Sequence, residues 1–422
     1  MTNLTENHIN AHCTDLGITR DQLTEFTIPD GVTKIDDQAF AECTSLTSIN
    51  IPDGVTEIGI GTFYGCTSLS STTIPDSVTK IGRAAFYGCT FLTSITILDS
   101  IKHIGERAFN ECTSLTSINI PDGVTEIGIG TFYGCTSLSS TTIPDSVTNI
   151  GDSAFQACTT LESIIIPDSI KQIGERAFSE CTSLASINIP DGVTEIGICT
   201  FYGCTSLSST TIPDSVTKIG YRAFRDCTSL TSINIHDGVT TIDEDSFFRC
   251  TSLKSITIPD SVTKIGISAF SNCSSLTSIT IRNGVTKIGR WTFYGCTDLT
   301  SINIPDSVTE IGLSAFDQCN SLARIICNNP DLFSSAQNLQ NKDQIQFIST
   351  AEYFKENYQE LLIAIEDSEF KSNHVTSKEL NLIIKLHQED YLPDWNTIAT
   401  TFNERSMDQI RSILHYFNKT NC

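Results

Sequence analysis

The sequence has few basic residues and no long apolar run. Its 422 residues include 26 Lys and Arg against 49 Asp and Glu, a formal net charge of −23. So acidic a surface repels phosphate backbones, which argues against general nucleic-acid binding. No segment approaches the ~18 apolar residues that a membrane-spanning helix needs. The amino terminus also lacks a basic start followed by an apolar run, so no Sec-type signal peptide is expected.

Enzyme motifs are missing as well. The seven histidines are scattered, without HExxH and without a pair at metal-ligand spacing. Gly59-Ile60-Gly61 begins like a dinucleotide-binding loop, but it belongs to a repeated segment and its next glycine is Gly65. Asp243-Glu244-Asp245 offers carboxylates for a cation, although such runs are more often solvated charge. His12-Cys13 places a base beside a thiol, but in a polar leader. We predict a non-enzymatic protein with no catalytic residues, cofactor or metal.

What the sequence does have is a period of 23 residues, kept without insertion or deletion. Cysteine follows it from Cys43 to Cys319, and phenylalanine from Phe40 to Phe316. A fixed period of this size is typical of stacked supersecondary units. We therefore predict a repeat solenoid of about 13 units over residues 20–328.

Each unit contains the same succession of signals. The spacing LxxLxL, whose last part alternates, indicates a short strand that Pro52 ends. Val55 to Ile58 is predicted as a second extended segment. Residues 62–65 are predicted as a helical turn that directs Phe63 into the core.

Thirteen of the 17 cysteines occupy one repeat position within an apolar pattern. Disulfide frameworks are typical of short secreted chains with small cores, so we predict buried, reduced thiols. Cys13, Cys199, Cys327 and Cys422 lie outside this row.

Larger blocks are copied too. Ile49–Thr79 returns unchanged at Ile118–Thr148, and again at Ile187–Thr217 with Cys199 in place of a glycine. Each shift is 69 residues, or three units. Such copying indicates recent duplication, which an active site would seldom tolerate.

The motif LxxLxL followed by IPDxVTxIGxxAFxxC resembles the BspA-like class of leucine-rich repeat, from Asp21 to Asn328. The resemblance implies a curved array with a parallel β-sheet on its inner face. It also implies recognition of proteins or surfaces, because relatives are described as surface antigens, adhesins or scaffolds. Fold alone does not fix function, however.

On the predicted strand, the side chains that alternate with the apolar ones point outward and are mostly Ser, Thr or Asn. These short side chains either satisfy a hydrated sheet surface or form a broad interaction surface. In the second case, specificity comes from the positions that break the pattern, at the face or its rim. The candidate partner contacts are Glu162, Ile165, His236, Lys254, Arg282 and Arg324, the last together with Ile326.

The flanking segments differ from the array. Residues 1–19 form a polar leader that is loosely ordered or covers the first unit, and residues 329–370 form a helical cap or linker. Residues 371–422 are similar to a three-helix Myb/SANT module, whose third helix would offer Arg405, Gln409 and Arg411. Five Lys and Arg against six Asp and Glu over residues 375–422 favour protein binding over DNA binding. A plain helical cap is the alternative.

We therefore predict a cytoplasmic protein-protein interaction scaffold. One alternative is a surface antigen or a host-directed adhesin or effector, exported without a Sec signal. Another is a chromatin- or DNA-associated regulator that acts through residues 375–422. A nucleic-acid partner is expected only in that last case.

Overall fold

A computed structural model of the protein describes residues 3–333 and 345–349. The chain divides into two compact units, residues 1–323 with 331–345, and residues 324–330 with 346–422. The first unit contains thirteen stacked 23-residue turns between residues 20 and 318. The prediction of a repeat solenoid with parallel strands is therefore confirmed.

One row of short strands runs along the array, and we call its members the serine strands. Pairing is parallel and 23 residues apart, so that Ser163 faces Ser140. The strands of the first unit are Ser71–Thr73, Ser94–Thr96, Ser140–Thr142, Ser163–Ile165, Ser186–Asn188, Ser209–Thr211, Ser232–Asn234, Ser255–Ile258, Ser278–Ile281 and Ser301–Asn303. In the earliest turns and near residue 117, the same row continues as single bridges, such as Ser48 to Ser71.

A second row consists of two-residue strands that end in a buried isoleucine, here called the isoleucine strands. They are Lys34–Ile35, Glu57–Ile58, Lys80–Ile81, His103–Ile104, Glu126–Ile127, Asn149–Ile150, Gln172–Ile173, Glu195–Ile196, Lys218–Ile219, Thr241–Ile242, Lys264–Ile265, Lys287–Ile288 and Glu310–Ile311. Each isoleucine strand forms the last two residues of the second extended segment that was predicted for its unit, as Glu57–Ile58 does in the segment Val55 to Ile58. A glycine closes most of them because the turns approach closely: a Cβ added to Gly82 would lie 2.4 Å from the carbonyl oxygen of Gly59.

The predicted helical turn before each cysteine is wrong. Some of its N–H groups donate to the carbonyl oxygen three residues earlier, as Tyr64 N does to Gly61 O at 3.0 Å. Its other N–H groups donate to the following 23-residue turn of the array. Gly61 N, Phe63 N and Gly65 N each bond a carbonyl oxygen one turn later, at 2.7 to 2.8 Å. Positive φ at the first and last of these positions, +58° and +67° here, permits this ladder, and the other turns repeat it.

The core is built from rows of identical residues. The phenylalanines stack from Phe40 to Phe316, with neighbouring ring centroids 5.1 to 5.8 Å apart. Phe333 continues the stack at 5.9 Å from Phe316. The thirteen row cysteines are buried and free, so the prediction of reduced thiols is confirmed for them.

The leader covers the first turn. Strand Asn3–Leu4 pairs in parallel with Lys34–Ile35, and helix α1 follows at Glu6–Leu16, burying Ile9 and Cys13. A single 3-10 turn, Arg20–Gln22, then leads into the array.

Arg20 occupies the place of the missing first cysteine and closes the amino-terminal end of the ladder. Its guanidinium donates to the carbonyl oxygens of Ala41 at 2.7 Å, Ala39 at 3.0 Å and Gln38 at 3.2 Å. Carbonyls equivalent to those of Ala39 and Ala41 accept N–H groups from a preceding turn elsewhere in the array. Arg20 thus replaces a turn that the first coil does not have.

The described part of the second unit contains two parallel strands, Arg324–Ile326 and Gln346–Ile348. A 3-10 helix, Pro330–Phe333, lies at the boundary between the units along the chain. The three-helix module predicted for residues 371–422, and most of the cap or linker predicted for 329–370, lie outside the described residues.

Candidate interaction surface

The exposed side of the serine strands forms a surface that we call the strand face. In Ser186–Asn188 the first and third residues are exposed and the middle one is buried, and most serine strands alternate in the same way. Four adjacent strands, at residues 186–188, 209–211, 232–234 and 255–257, line an open depression of about 570 Å³. The outward orientation of the Ser, Thr and Asn side chains is as predicted.

The hydroxyl groups of this region fall into two sets. Those one position before the serine strand bond to the preceding turn: Ser70 donates to Thr47 O at 3.2 Å and Thr93 to Ser70 O at 3.1 Å. Within the described chain, the hydroxyls that open the strands, such as those of Ser94 and Ser186, have no such partner and face solvent. The first set therefore stabilises the array, and the second is free to bond a ligand.

Ile165 is the largest break in the pattern. Its side chain is 66% exposed, where the flanking strands carry Thr142 and Asn188. Glu162 is exposed in the same turn and replaces a hydroxyl of the first set. Lys254 makes the same replacement four turns later, also exposed, beside the depression. In Ile165, Glu162 and Lys254 the strand face thus carries a large aliphatic group, a carboxylate and an ammonium group among mostly short polar side chains.

His236 and Arg282 lie at the position where most turns have proline, two turns apart. The His236 side chain is only 12% exposed, and its Nδ1 accepts the Gly238 N–H at 2.9 Å. Arg282 reaches Asp237 at 3.7 Å and Asp260 at 3.9 Å. Both side chains are therefore held in the rim by neighbours of their own chain.

Arg324 belongs to the second unit and is partly exposed. Ile326, expected beside it as an outward residue, is 7% exposed and pairs with Ile348. The expectation that Ile326 points outward is therefore wrong, and the pairing of its strand with Gln346–Ile348, at an offset of 22 residues, also departs from the 23-residue period. Arg405, Gln409 and Arg411 lie outside the described residues.

Asp245 is neither a solvated carboxylate nor a cation ligand. It is 6% exposed, and its Oδ2 accepts Arg222 Nε at 3.1 Å and Arg225 Nη1 at 2.5 Å. The Arg225 guanidinium also lies 4.1 Å from the centre of the Phe248 ring. Sequence reasoning missed this cluster because its members are 20 and 23 residues apart. One signal was present, since Arg225 stands where several other turns have tyrosine. In the described ranges, no group of three His, Cys, Asp or Glu side chains could hold a metal ion.

Two of the thiols outside the row, those of Cys13 and Cys199, are poor nucleophiles. Burial raises the pKa of Cys13, and it also raises the pKa of Cys199 despite the neighbouring Arg176 and Arg222 guanidinium groups. His12 packs edge-on against Phe26, with ring centroids 5.1 Å apart. His12-Cys13 is therefore part of the packing of helix α1.

Stacked parallel turns, a row of serine strands and a phenylalanine core define a leucine-rich-repeat solenoid. Residues 19–139, 125–254 and 240–376 match the family model described as the BspA type leucine rich repeat region. The chain belongs to this family. Proteins with this fold generally bind other proteins and are generally non-enzymatic.

Solved structures with similar sequences include a leucine-rich repeat protein from Bacteroides ovatus ATCC 8483. It is 36% identical, covers 78% of this chain and 84% of its own, and has a TM-score of 0.71. A leucine rich cell surface protein from Faecalibacterium prausnitzii A2-165 is 35% identical, covering 76% of this chain and 90% of its own at a TM-score of 0.49. A search of the curated proteins found no match.

Proposed function

We propose that this protein is a non-enzymatic scaffold that binds a protein partner on its strand face. The observation that carries the proposal is the 66% exposure of Ile165 within a surface of short polar side chains. Around Ile165, the hydroxyls that open the serine strands have no partner within the described chain and are free to bond a ligand, so Ile165 would be an apolar anchor within a polar binding surface. Glu162 and Lys254 would supply the charges that select the partner, because rim charges chiefly govern specificity and association rate.

His236 and Arg282 are proposed as rim contacts, reached at the edge of the face once the partner is bound. Their side chains already have intramolecular neighbours, so their replacement should weaken binding less than the replacement of Ile165. The prediction that Arg324 contacts the partner is kept separate from this proposal, because Arg324 belongs to the second unit.

The test compares proteins captured by the immobilised full chain in three forms: wild type, Ile165→Asp and Phe91→Asp. Phe91 is also 66% exposed but lies in a turn outside the serine strands, so it is a matched control. A partner on the strand face should lose about tenfold or more in affinity with Ile165→Asp and little with Phe91→Asp. Equal retention by both variants, measured again with the purified partner, would contradict the proposal.

The compartment stays a prediction. No helix in the described ranges is long and apolar enough to cross a membrane. A cytoplasmic scaffold should resist protease added to intact cells, whereas a surface antigen or adhesin should be removed by it.

A second binding module at residues 371–422 also stays a prediction. If Arg405, Gln409 and Arg411 contact DNA, the full chain should bind duplex DNA with a salt-dependent affinity that their replacement by Ala abolishes. If the full chain does not bind duplex DNA even at low salt, the DNA-binding prediction is wrong, and the strand face is the proposed binding surface that is left.

A further inference from the structure

A second exposed surface runs along the array, and it has a longer period than the repeat. It consists of the residue that follows the closing position of each isoleucine strand, and we call it the ridge. Its carbonyl oxygens accept N–H groups from the preceding turn, as Arg83 O does from Gly61 at 2.8 Å and Ile129 O from Arg107 at 2.9 Å, so ridge residues are stacked one per turn. The ridge comprises Asp37, Ile60, Arg83, Glu106, Ile129, Asp152, Glu175, Ile198, Tyr221, Glu244, Ile267, Arg290 and Leu313.

Isoleucine occurs on the ridge at every third turn. Ile60, Ile129 and Ile267 are 50%, 41% and 39% exposed, and Ile198 is partly exposed. The ridge residues that separate Ile60, Ile129 and Ile198 from one another, namely Arg83, Glu106, Asp152 and Glu175, are all charged. Isolated exposed apolar residues need no explanation, but four at one interval in a single row form a patterned surface.

Aromatic side chains accompany these isoleucines. Tyr64, Tyr133 and Tyr202 follow four residues after the first three. Near Ile267, Trp291 is 37% exposed, with the Arg290 guanidinium 3.6 Å from its ring centre. Tyr, Trp and Arg are the side chains that dominate interface energies. Each isoleucine thus marks an apolar station with the composition of a binding hot spot.

A partner for this ridge must present apolar groups at the same interval. Parallel neighbours are about 4.8 Å apart, so three turns are ~14 Å and the row from Ile60 to Ile267 is ~43 Å long. Separate globular partners are too wide to occupy stations ~14 Å apart. A second copy of this chain has the required interval by construction.

We propose that the ridge is the interface of an antiparallel homodimer. A two-fold axis between Asp152 and Glu175 places Ile129 opposite Ile198 of the second copy. It also places Ile60 opposite Ile267, so all four stations are matched. Isologous pairing of one surface with itself is the commonest symmetry of soluble dimers.

The charges of the ridge favour this arrangement over a parallel one. The same axis places Arg83 opposite Glu244 and Asp37 opposite Arg290, each pair occurring twice. A parallel, in-register pairing would instead oppose each charge to itself. Asp152 and Glu175 do meet at the axis, and this repulsion limits the affinity. The contact area is sufficient, since a strip of ~43 by ~15 Å buries about 1,300 Å² in total, within the range of specific interfaces.

The apolar stations are tested with the full chain by sedimentation velocity over a concentration series. The wild type should be a dimer at micromolar concentration, and the double variant Ile129→Asp/Ile198→Asp should weaken the dimer about 100-fold. Aspartate already occupies the ridge at Asp37 and Asp152, so the array tolerates it. Ile165→Asp, on the strand face, is the matched control and should leave the dimer unchanged.

A charge exchange tests the antiparallel register. Arg83→Glu and Glu244→Arg should each weaken the dimer about tenfold, and the double variant should restore it. Both substitutions are drawn from residues that the ridge already carries. A wild-type monomer at ~100 µM, or a dimer insensitive to these variants, would overturn the proposal. Partner binding on the strand face is measured separately, so that either proposal can fail alone.

Discussion

The thiol of Cys66 donates a hydrogen bond to the carbonyl oxygen of Phe40, 3.0 Å away and in the preceding turn. Cys135 and Cys273 do the same to Phe109 and Phe247, both at 3.2 Å. Burial raises the pKa of Cys43 to about 11, and that of Cys135 and Cys273 to about 12. The row therefore stays protonated and bonded at neutral pH.

This raised pKa makes the array sensitive to alkali. An unfolded thiol ionises near 8.5, so between that pH and the folded pKa the folded state binds more protons and stability falls as pH rises. The stability is fully present below about pH 8.5. We expect the urea midpoint, followed by circular dichroism, to be constant from pH 7 to 8 and to fall steeply above pH 9.

The control for this effect is Cys135→Ala, which removes one titrating group. It should reduce the slope of unfolding free energy against pH by at most about 1.4 kcal/mol per pH unit. A midpoint that does not change up to pH 10 would contradict the cysteine explanation. Thiol reagents should in turn modify Cys135 only after unfolding.

Because the ladder holds some residues other than glycine at positive φ, replacing such a residue by glycine should stabilise the protein. Ala84 has φ of +52°, where an alanine Cβ is strained and glycine is not. Ala84→Gly should therefore raise the free energy of unfolding by about 0.5–1 kcal/mol. The adjacent Ala85, which is buried and has no positive φ, is the control: Ala85→Gly should lower stability. Chemical denaturation measures the free energy of unfolding of both variants. A change of the same sign in the two variants would contradict the prediction.

The phenylalanines in the middle of the stack should contribute strongly to the free energy of unfolding. Phe178 is fully buried between Phe155 and Phe201, with ring centroids 5.5 and 5.8 Å away. Phe178→Ala should cost about 3–5 kcal/mol, since a large cavity remains. The exposed Phe91 is the control, and Phe91→Ala should change stability by no more than about 0.5 kcal/mol. Similar losses in the two variants, measured by urea denaturation, would disprove this view of the core.

Arg20 should contribute to the stability of the array although it lies near the amino terminus. Arg20→Met removes the donors to the carbonyls of Ala39 and Ala41 and leaves these groups without their partner. We expect a loss of about 1–3 kcal/mol, with hydrogen exchange increasing first in residues 34–43. Lys171→Met, at an exposed position, should show neither effect. Exchange that rises equally throughout the array would show that Arg20 does not act as an end cap.

The repeated parts of the fold could be predicted because each signal occurs about thirteen times. Period and residue type were enough to place the phenylalanines, the cysteines and the outward residues of the serine strands. The positive-φ ladder was missed because its positions have glycine in only some turns: Gly61 reveals one, but Ala84 and Trp291 conceal the same conformation.

Local exceptions were harder to predict. Asp245 finds its arginines one turn away, so the contact depends on stacking geometry and not on neighbouring residues in the sequence. Helix α1 has only Ile9 and Cys13 as its buried residues, too few for a clear helical period. Its signals are Thr5 at the cap and Gly17 at the end, where φ is +67°.

The direction of the hydrogen bonds between turns has a mechanical consequence. They lie along the stacking axis, so a tensile load applied to the two ends of the array would act on one turn at a time instead of shearing many bonds together. Each turn that opens would release 23 residues, or about 75 Å of extended chain. The array should therefore lengthen in small steps at low force, as a compliant tether that reseals when the load is removed.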